Sequence, residues 1–316
     1  MKFAIIGSQK ITAQLVRSTI KHGYMPHLII TVNEGNSDKV TDYVSLANLF
    51  GDEIKVIETS ELSLKNLTNT DKNYLSECDF GLVYGWPRLI PAEILELPDM
   101  GIFGVHGGPY EAPRCRGRAV FNWALIYGEE NFFMYLFKLT QGADEGAIFK
   151  QINFSIERDE DILSIYLKSS YFVEQLFKEF LGEVSSDNIK LIEQHGNNAT
   201  YLPGRKPVHG GINWSQSADS IVRFIRAQTK PFPGAFSMMD GVRVKIWRAQ
   251  VFDRGHVLDG KPGEIIHSFS GNEFLVRSGN GIGVLIREFE VQGDWLPCQG
   301  ENFDLVSGEA QPEVKM

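Results

Sequence analysis

The sequence lacks long hydrophobic runs, clustered cysteines and an excess of positive charge, and each absence excludes a class of protein. No segment of its 316 residues approaches the run of about 18 apolar residues that a membrane-spanning helix needs, so we expect no membrane span. The three cysteines, Cys78, Cys115 and Cys298, are too far apart for a CxxC pair or a disulfide framework. This cysteine usage is typical of the reducing cytoplasm, and we expect a cytoplasmic protein without a metal site.

Two further absences concern partners. The formal net charge is −9 and the sequence contains no basic stripe, so we expect no large nucleic-acid interface. The first predicted strand-to-helix turn, "IIGSQKI", contains one glycine and lacks the GxGxxG pattern of a dinucleotide site. Both observations favour a small-molecule partner other than a dinucleotide. The sequence carries no signal for an oligomeric state.

The first 150 residues alternate short apolar runs with amphipathic stretches. Short apolar runs bounded by glycine or polar residues predict buried strands, whereas apolar residues three to four positions apart predict helices. Their alternation predicts an α/β fold, Rossmann-like, with a mostly parallel sheet and helices on both faces. The predicted strands are 2–7, 27–32, 54–58, 80–85, 101–106, 132–139 and 146–154, and the predicted helices are 11–23, 91–98 and 159–182.

The composition changes after the long predicted helix. Residues 185–213 are rich in Gly, Asn and Pro and are predicted to connect two domains. An amphipathic helix follows, starting near Ser215 or Ser217, and strand-like runs separated by glycine-containing turns extend from residue 236 onwards. Among these turns, "RSGNGIG" (277–283) predicts a hairpin. The predicted units are an α/β domain (1–184), a connector (185–213) and a helix with a small antiparallel, OB-like β-barrel (214–316).

Three loops that follow predicted strands carry side chains suited to chemistry. His106 ends the run "GIFGVH", Trp86 lies in "YGWPRLIP", and Asp144 lies in the glycine-flanked stretch "QGADEGAI". Ligands of open parallel sheets bind beyond the carboxyl ends of the strands, so these loops are predicted to converge. Each residue alone is more often structural than functional. Together they would supply a proton acceptor, its acid partner and a flat apolar wall.

The motifs taken together resemble the folate-dependent formyltransferases, the family that includes methionyl-tRNA formyltransferase and the sugar N-formyltransferases. The stretch "HGGPYEAPRCRGRAVFNWALIYGEE" is followed by "ADEGAIF" and later by "ATYLPGRKPVHGGINWSQSADSIVRFIRAQTKPFPGAFS", so the resemblance spans nearly the whole chain. It implies N10-formyltetrahydrofolate as the formyl donor and an amine as the acceptor. The acidic composition and a connector similar to that of the sugar-modifying branch favour a small acceptor, a nucleotide-linked amino sugar.

The resemblance also implies roles for individual residues. His106 matches the family residue that handles the amine proton, and Asp144 matches the residue that orients this histidine. The residues predicted to contact the folate are Tyr84, Trp86, Leu89, Ile90, Gly142 and Asp144. The residues predicted to shape the acceptor side are Gly107, Gly108, Arg116, Gly117 and Arg118.

The sequence departs from the family at the position of the asparagine that donates to the formyl oxygen, which is Gly104 here. Loss of one oxyanion donor costs about 3–4 kcal/mol in a well-studied hydrolase. The candidate replacements are backbone N–H groups at Gly107 and Gly108, Asn122 and Arg116. Because Gly104 replaces this asparagine, two alternatives to formyl transfer onto a small amine stay open. The protein could be a folate- or nucleotide-binding homologue without transfer activity, or it could catalyse an altered one-carbon reaction. A methionyl-tRNA formyltransferase-like activity is a third.

Overall fold

The computed structural model describes residues 1–291, 293, 295–304, 312 and 314. Within these residues no helix is both long enough and apolar enough to cross a lipid bilayer. The strands of the N-terminal part are β1 (Phe3–Ile6), β2 (Leu28–Val32), β3 (Lys55–Thr59), β4 (Phe80–Val83), β5 (Ile102–Gly108), β6 (Arg116–Gly117), β7 (Asn131–Lys138) and β8 (Ile148–Ser155). The helices are α1 (Lys10–Lys21), α2 (Leu46–Phe50), α3 (Asn69–Ser76), α4 (Ala92–Leu95), α5 (Val120–Tyr127) and α6 (Ile162–Ser185).

Seven of these strands form one sheet in the order β3-β2-β1-β4-β5-β7-β8. The first five strands in this order are parallel, whereas β7 is antiparallel to β5 and β8 is antiparallel to β7. The predicted mostly parallel sheet is therefore confirmed. Strand β1 lies between β2 and β4, so the chain reverses its direction of winding beside β1, where ligands of such sheets bind.

Alternate residues of the buried strands pack against different helices. Phe3 and Ile5 of β1 belong to a core that includes α1, α5 and α6, whereas Ala4 and Ile6 belong to a second core with α3 and α4. Because side chains alternate between the two faces of a strand, both faces of the sheet are covered by helices. This agrees with the predicted Rossmann-like arrangement.

Two predicted boundaries are corrected by the structure. Helix α6 begins at Ile162 rather than at residue 159, because the Asp161 side chain accepts a hydrogen bond from Ser164 N (2.9 Å) and caps the helix. Strand β5 extends beyond His106 to Gly108, because it pairs with β7 in the register His106–Tyr135 and Gly108–Phe133. Helices α2 and α3 were not predicted, although Thr68 and Asp71 form a capping box at the start of α3.

The segment after α6 contains a two-residue strand, β9 (Tyr201–Leu202), and the helix α7 (Ala218–Gln228), which Ser217 caps. Five antiparallel strands follow, in the order β10-β11-β14-β13-β12. Their bounds are β10 (Ala235–Met239), β11 (Val242–Val251), β12 (Ile265–Ser268), β13 (Phe274–Arg277) and β14 (Gly283–Val291). The predicted hairpin at 277–283 is confirmed as the turn between β13 and β14, and β10 is an additional strand that was not predicted.

Residues 301–304 connect the two edges of this five-stranded sheet. Ile265 N at one edge donates to Glu301 O (2.8 Å), and Asp304 N donates to Met238 O at the other edge (2.8 Å). Between them, Phe303 is buried and stacks on Trp214. The sheet is thereby curled into a small barrel around one apolar core, as the sequence predicted.

The part of the chain that contains the seven-stranded sheet meets the part that contains the five-stranded sheet where α5 packs against α7. The buried Asn122 Nδ2 of α5 donates to Ala227 O of α7 (2.7 Å). Arg205 lies over the rings of Trp123 on α5 and Phe224 on α7, at 4.7 and 5.5 Å from the ring centroids. Burial lowers the pKa of this guanidinium to about 10.

Candidate active site

A cavity of about 650 Å³ opens at the carboxyl ends of β4 and β5. The three loops singled out in the sequence all line it, together with the start of α1 and one face of α6. The predicted site residues in its wall are Tyr84, Trp86, Leu89, Ile90, Gly104, His106, Gly107, Gly117, Arg118, Gly142 and Asp144. Three other predicted site residues, Gly108, Arg116 and Asn122, lie outside this wall.

His106 lies on β5 directly opposite Tyr135 of β7, and the two rings make an edge-to-face contact with centroids 5.7 Å apart. The imidazole Nε2 is 3.0 Å from Cys115 O. Because a carbonyl oxygen only accepts hydrogen bonds, this contact requires a proton on Nε2. In the neutral imidazole the lone pair is then on Nδ1, and His106 can accept a proton there.

Asp144 is also close to this imidazole nitrogen. Its Oδ2 is 3.7 Å from His106 Nε2, which is an ion-pair distance but longer than a direct hydrogen bond. The same oxygen accepts a hydrogen bond from Gly117 N (3.0 Å). The predicted proximity of His106 and Asp144 is therefore observed, with the carboxylate held between the imidazole and the backbone of β6.

Three non-glycine residues in the loops around His106 have left-handed backbone conformations. Asp144 has φ 58°, Cys115 has φ 63° and Ala119 has φ 54°. Non-glycine residues adopt this conformation rarely and at a cost of about 1–2 kcal/mol each, so the surrounding contacts must enforce it. Such strain is concentrated at functional sites in other proteins, which supports the assignment of this cavity as the candidate active site.

Gly104 lies in the cavity wall, but the space beside it is filled. A Cβ atom at this position would be 2.9 Å from Leu139 Cδ2 and 3.3 Å from Leu139 Cγ. Leu139 also lines the cavity, and its backbone N–H donates to Ile102 O (2.7 Å). The apolar Leu139 side chain therefore occupies the space that any longer side chain at position 104 would need.

The candidate oxyanion donors differ in their availability. Asn122 uses its amide N–H group in the contact with Ala227 O described above, away from the cavity. Gly107 and Gly108 are part of β5, where they pair with Met134 and Phe133 of β7. Of the two, Gly107 lines the cavity.

Arg116, which was predicted to shape the acceptor side, is 3% exposed, and its side chain does not line the cavity. Its guanidinium donates to Gln194 Oε1 (2.9 Å) and to the Tyr201 hydroxyl (3.3 Å), and lies 3.5 Å from a Glu145 carboxylate oxygen. A buried guanidinium needs such partners, because an unpaired buried charge is costly. The neighbouring Arg118 is exposed and lines the cavity.

The segment "YGWPRLIP" forms one wall of the cavity. Trp86 donates its indole N–H to Leu62 O (3.1 Å) and packs on the core containing α3 and α4. Ile90 is buried, whereas Leu89 is 67% exposed at the cavity mouth. Tyr84 accepts a hydrogen bond from Thr12 Oγ1 at its carbonyl (2.6 Å), and burial raises the pKa of its phenol. This wall is thus rigidly attached to the domain core.

Helices contribute cavity residues that the sequence patterns did not indicate. Gln9 and Ile11 line it at the start of α1, Phe121 on α5, and Tyr166 and Ser169 on α6. The spacing of Tyr166 and Ser169 shows that they share one face of α6. No local signal shows which sheet edge this face approaches. Tyr135 was also missed; its ring contacts His106, and its buried hydroxyl has no hydrogen-bond partner among the described residues.

Two regions of the chain match models of known protein families. Residues 1–180 match the formyl transferase family and residues 206–296 match the formyl transferase C-terminal domain. The chain therefore belongs to the formyl transferase family.

One curated relative is much longer than this chain. The bifunctional polymyxin resistance protein ArnA of Wigglesworthia glossinidia brevipalpis is 32% identical over 190 residues, which are 59% of this chain and 29% of that protein. The chain thus spans less than a third of this curated relative.

Solved structures of similar fold include the following two. HypX from Aquifex aeolicus has a TM-score of 0.66 at 18% identity, covering 92% of this chain and 45% of that chain. An N-formyltransferase from Helicobacter canadensis, solved with folinic acid and dTDP-3-aminofucose, has a TM-score of 0.66 at 19% identity, covering 91% of this chain and 99% of that chain. At these identities the similarity concerns the fold.

Proposed function

We propose that this protein transfers the formyl group of N10-formyltetrahydrofolate to the amine of a small acceptor. The observation that carries the proposal is the placement of His106 and Asp144, with 3.7 Å between Nε2 and Oδ2, in the wall of one cavity. Family membership supports the reaction type. The Helicobacter canadensis N-formyltransferase, of similar fold and length, binds folinic acid, which supports the choice of donor.

The proposed reaction needs one proton acceptor and one stabilised oxyanion. The acceptor nitrogen attacks the formyl carbon, and a tetrahedral intermediate forms with negative charge on the formyl oxygen. His106 accepts the proton that the amine loses, at Nδ1, while Nε2 keeps its hydrogen bond to Cys115 O. The bond between the formyl carbon and N10 then breaks, and the same proton is delivered to N10. Asp144 stabilises the imidazolium formed in between.

The donor's pterin ring is proposed to lie against "YGWPRLIP". Trp86 and Ile90 offer apolar surface there, and the backbone of this segment offers hydrogen bonds to the edge of a flat ring. Because Trp86 is fixed by its bond to Leu62 O, the wall is formed before the ligand binds. A folate found against another part of the cavity in a co-crystal would refute this placement.

The acceptor is proposed to be a nucleotide-linked amino sugar. The Helicobacter canadensis enzyme binds dTDP-3-aminofucose, which supports this class of acceptor over tRNA. The net charge of −9 supports it as well, because a tRNA-binding surface requires concentrated positive charge. Arg118, which is exposed in the cavity wall, is proposed to contact the acceptor's phosphates.

The test is formyl transfer by the purified full chain, measured as release of tetrahydrofolate with a panel of amino-sugar nucleotides and with charged initiator tRNA. We expect transfer to an amino-sugar nucleotide and a loss of about 100-fold or more in His106→Ala and in Asp144→Ala. His22→Ala, an exposed histidine at the end of α1, is the matched control and should retain full activity. Strong formylation of the tRNA would refute the proposed acceptor.

Gly104 favours a second candidate function, a folate-binding protein without transfer activity. Glycine offers no side-chain donor, and Leu139 fills the adjacent space. Titration calorimetry with folinic acid separates the two functions when it is run beside the transfer assay. Binding without turnover on any acceptor would support this second function, whereas turnover abolished by His106→Ala would exclude it.

A further inference from the structure

The connector between the domains reaches into the candidate active site through one side chain, that of Gln194. Its Nε2 donates to Asp144 O (3.0 Å) and to Gly146 O (2.8 Å), and its Oε1 accepts from Arg116 Nη2 (2.9 Å). One amide therefore bonds to both ends of the Asp144–Gly146 turn and to a buried guanidinium.

The connector is anchored on both sides of Gln194. On one side, Ile192 exchanges two backbone hydrogen bonds with Ile148 at the start of β8, at 2.7 and 2.8 Å. On the other side, Thr200 O accepts from Arg116 N (2.9 Å), where β9 pairs with β6. Gln194 is thus held at a defined distance from the turn rather than resting on it as part of a free loop.

The turn that carries Asp144 needs external contacts to keep its shape. Asp144 has φ 58°, a conformation that non-glycine residues disfavour. Gly146 is confined, because a Cβ atom there would be 1.7 Å from Lys138 O. Hydrogen bonds to the carbonyls of residues 144 and 146 restrain this turn on both sides of Glu145.

The contacts close a ring around Asp144. Its carboxylate accepts from the N–H of Gly117, while its carbonyl accepts from Gln194, which binds the side chain of Arg116. Arg116 and Gly117 are consecutive residues of β6, so the backbone and the side chain of Asp144 are tied to the same strand. We propose that Gln194 is a positioning residue that fixes the Asp144 carboxylate toward His106. This inference rests on the proposed function, in which Asp144 acts on His106.

Two substitutions of Gln194 distinguish the effect of its hydrogen bonds from the effect of its packing. Gln194→Met keeps the length of the side chain and removes all three hydrogen bonds. Gln194→Glu keeps the shape and the acceptor for Arg116 but replaces the donor with a second oxygen, which the two carbonyls repel. Glu193→Gln, at the neighbouring exposed position, is the matched control. Thermal melting verifies that each variant is folded.

The first measurement is hydrogen exchange, which does not depend on any activity. We expect faster exchange in both Gln194 variants at residues 115–118, where the Gly117 N–H group reports on Asp144, and at 142–147. The remaining peptides and the Glu193→Gln variant should exchange like the wild type. Wild-type exchange at both segments in Gln194→Met would overturn the proposal.

The second measurement is steady-state formyl transfer. We expect kcat to fall about 10- to 100-fold in both Gln194 variants, with little change in the KM of the folate, because a small displacement of a catalytic group slows chemistry rather than binding. A kcat within twofold of the wild type, when His106→Ala is inactive, would overturn the proposal, as would a Gln194→Glu variant with wild-type kcat. If His106→Ala and Asp144→Ala retain activity, the proposed function fails instead, independently of the exchange result.

Discussion

Replacing Gly104 by asparagine would place a side chain in the space that Leu139 now fills. The new Cβ would be 2.9 Å from Leu139 Cδ2, against about 3.5–4.0 Å for a favourable carbon–carbon contact. Overpacking of this kind costs about 1–3 kcal/mol, and the lower half of that range applies because Leu139 is partly exposed and can turn away. For a domain of this size, about 1–2 kcal/mol corresponds to a fall in Tm of about 2–8 °C.

The assay is a double-mutant cycle by thermal denaturation, with Gly104→Asn, Leu139→Ala and the double variant. Removing the Leu139 side chain removes the overlapping atoms, so the double variant should be more stable than the sum of the two single effects predicts. Gly104→Ala, which adds the Cβ atom alone, measures the contribution of that first contact. Strictly additive effects on Tm would show that Leu139 does not limit position 104.

The same variants test whether a side-chain donor that stabilises the oxyanion is missing from this site. Asn122, one candidate side-chain donor, is bonded to Ala227 O, and Arg116, the other, is buried outside the cavity wall. We therefore expect formyl transfer by the double variant to exceed that of Leu139→Ala by about tenfold or more, because a restored donor contributes about 100-fold in a comparable site. Equal rates in the two proteins would contradict this expectation.

Two further predictions concern buried groups. Burial raises the pKa of the Cys78 thiol to about 12, so only about one Cys78 in 10⁴ is a thiolate at pH 8, and the fraction rises with pH. At pH 8 a thiol reagent should react rapidly with the exposed Cys298 and leave Cys78 unmodified until the protein is denatured. In a Cys298→Ser variant this rapid phase of thiol modification should be absent. Asn122→Leu should lower the free energy of unfolding by about 1–3 kcal/mol, because Ala227 O is left without a donor, whereas the exposed Asn73→Leu should change it little.

The sequence alone determined the fold class and the neighbourhood of the site. Short apolar runs separated by amphipathic stretches predict a buried parallel sheet, because strands covered on both faces need apolar residues throughout. The loops bearing Trp86, His106 and Asp144 follow strands, and parallel strands end at one edge, so their convergence on one cavity was predictable. The glycines of "RSGNGIG" likewise encode a turn locally.

The tertiary structure decided which of the candidate residues reach the cavity. Arg116 and Gly117 are adjacent in the sequence, yet the Arg116 side chain is buried among connector residues while Gly117 lines the cavity. Gln194 contacts a turn 48–50 residues earlier in the chain. Such contacts depend on how distant segments pack, and no periodicity or motif within a short window encodes them. The same holds for residues 301–304, whose hydrogen bonds join the two edges of the second sheet and therefore depend on how its distant strands are arranged.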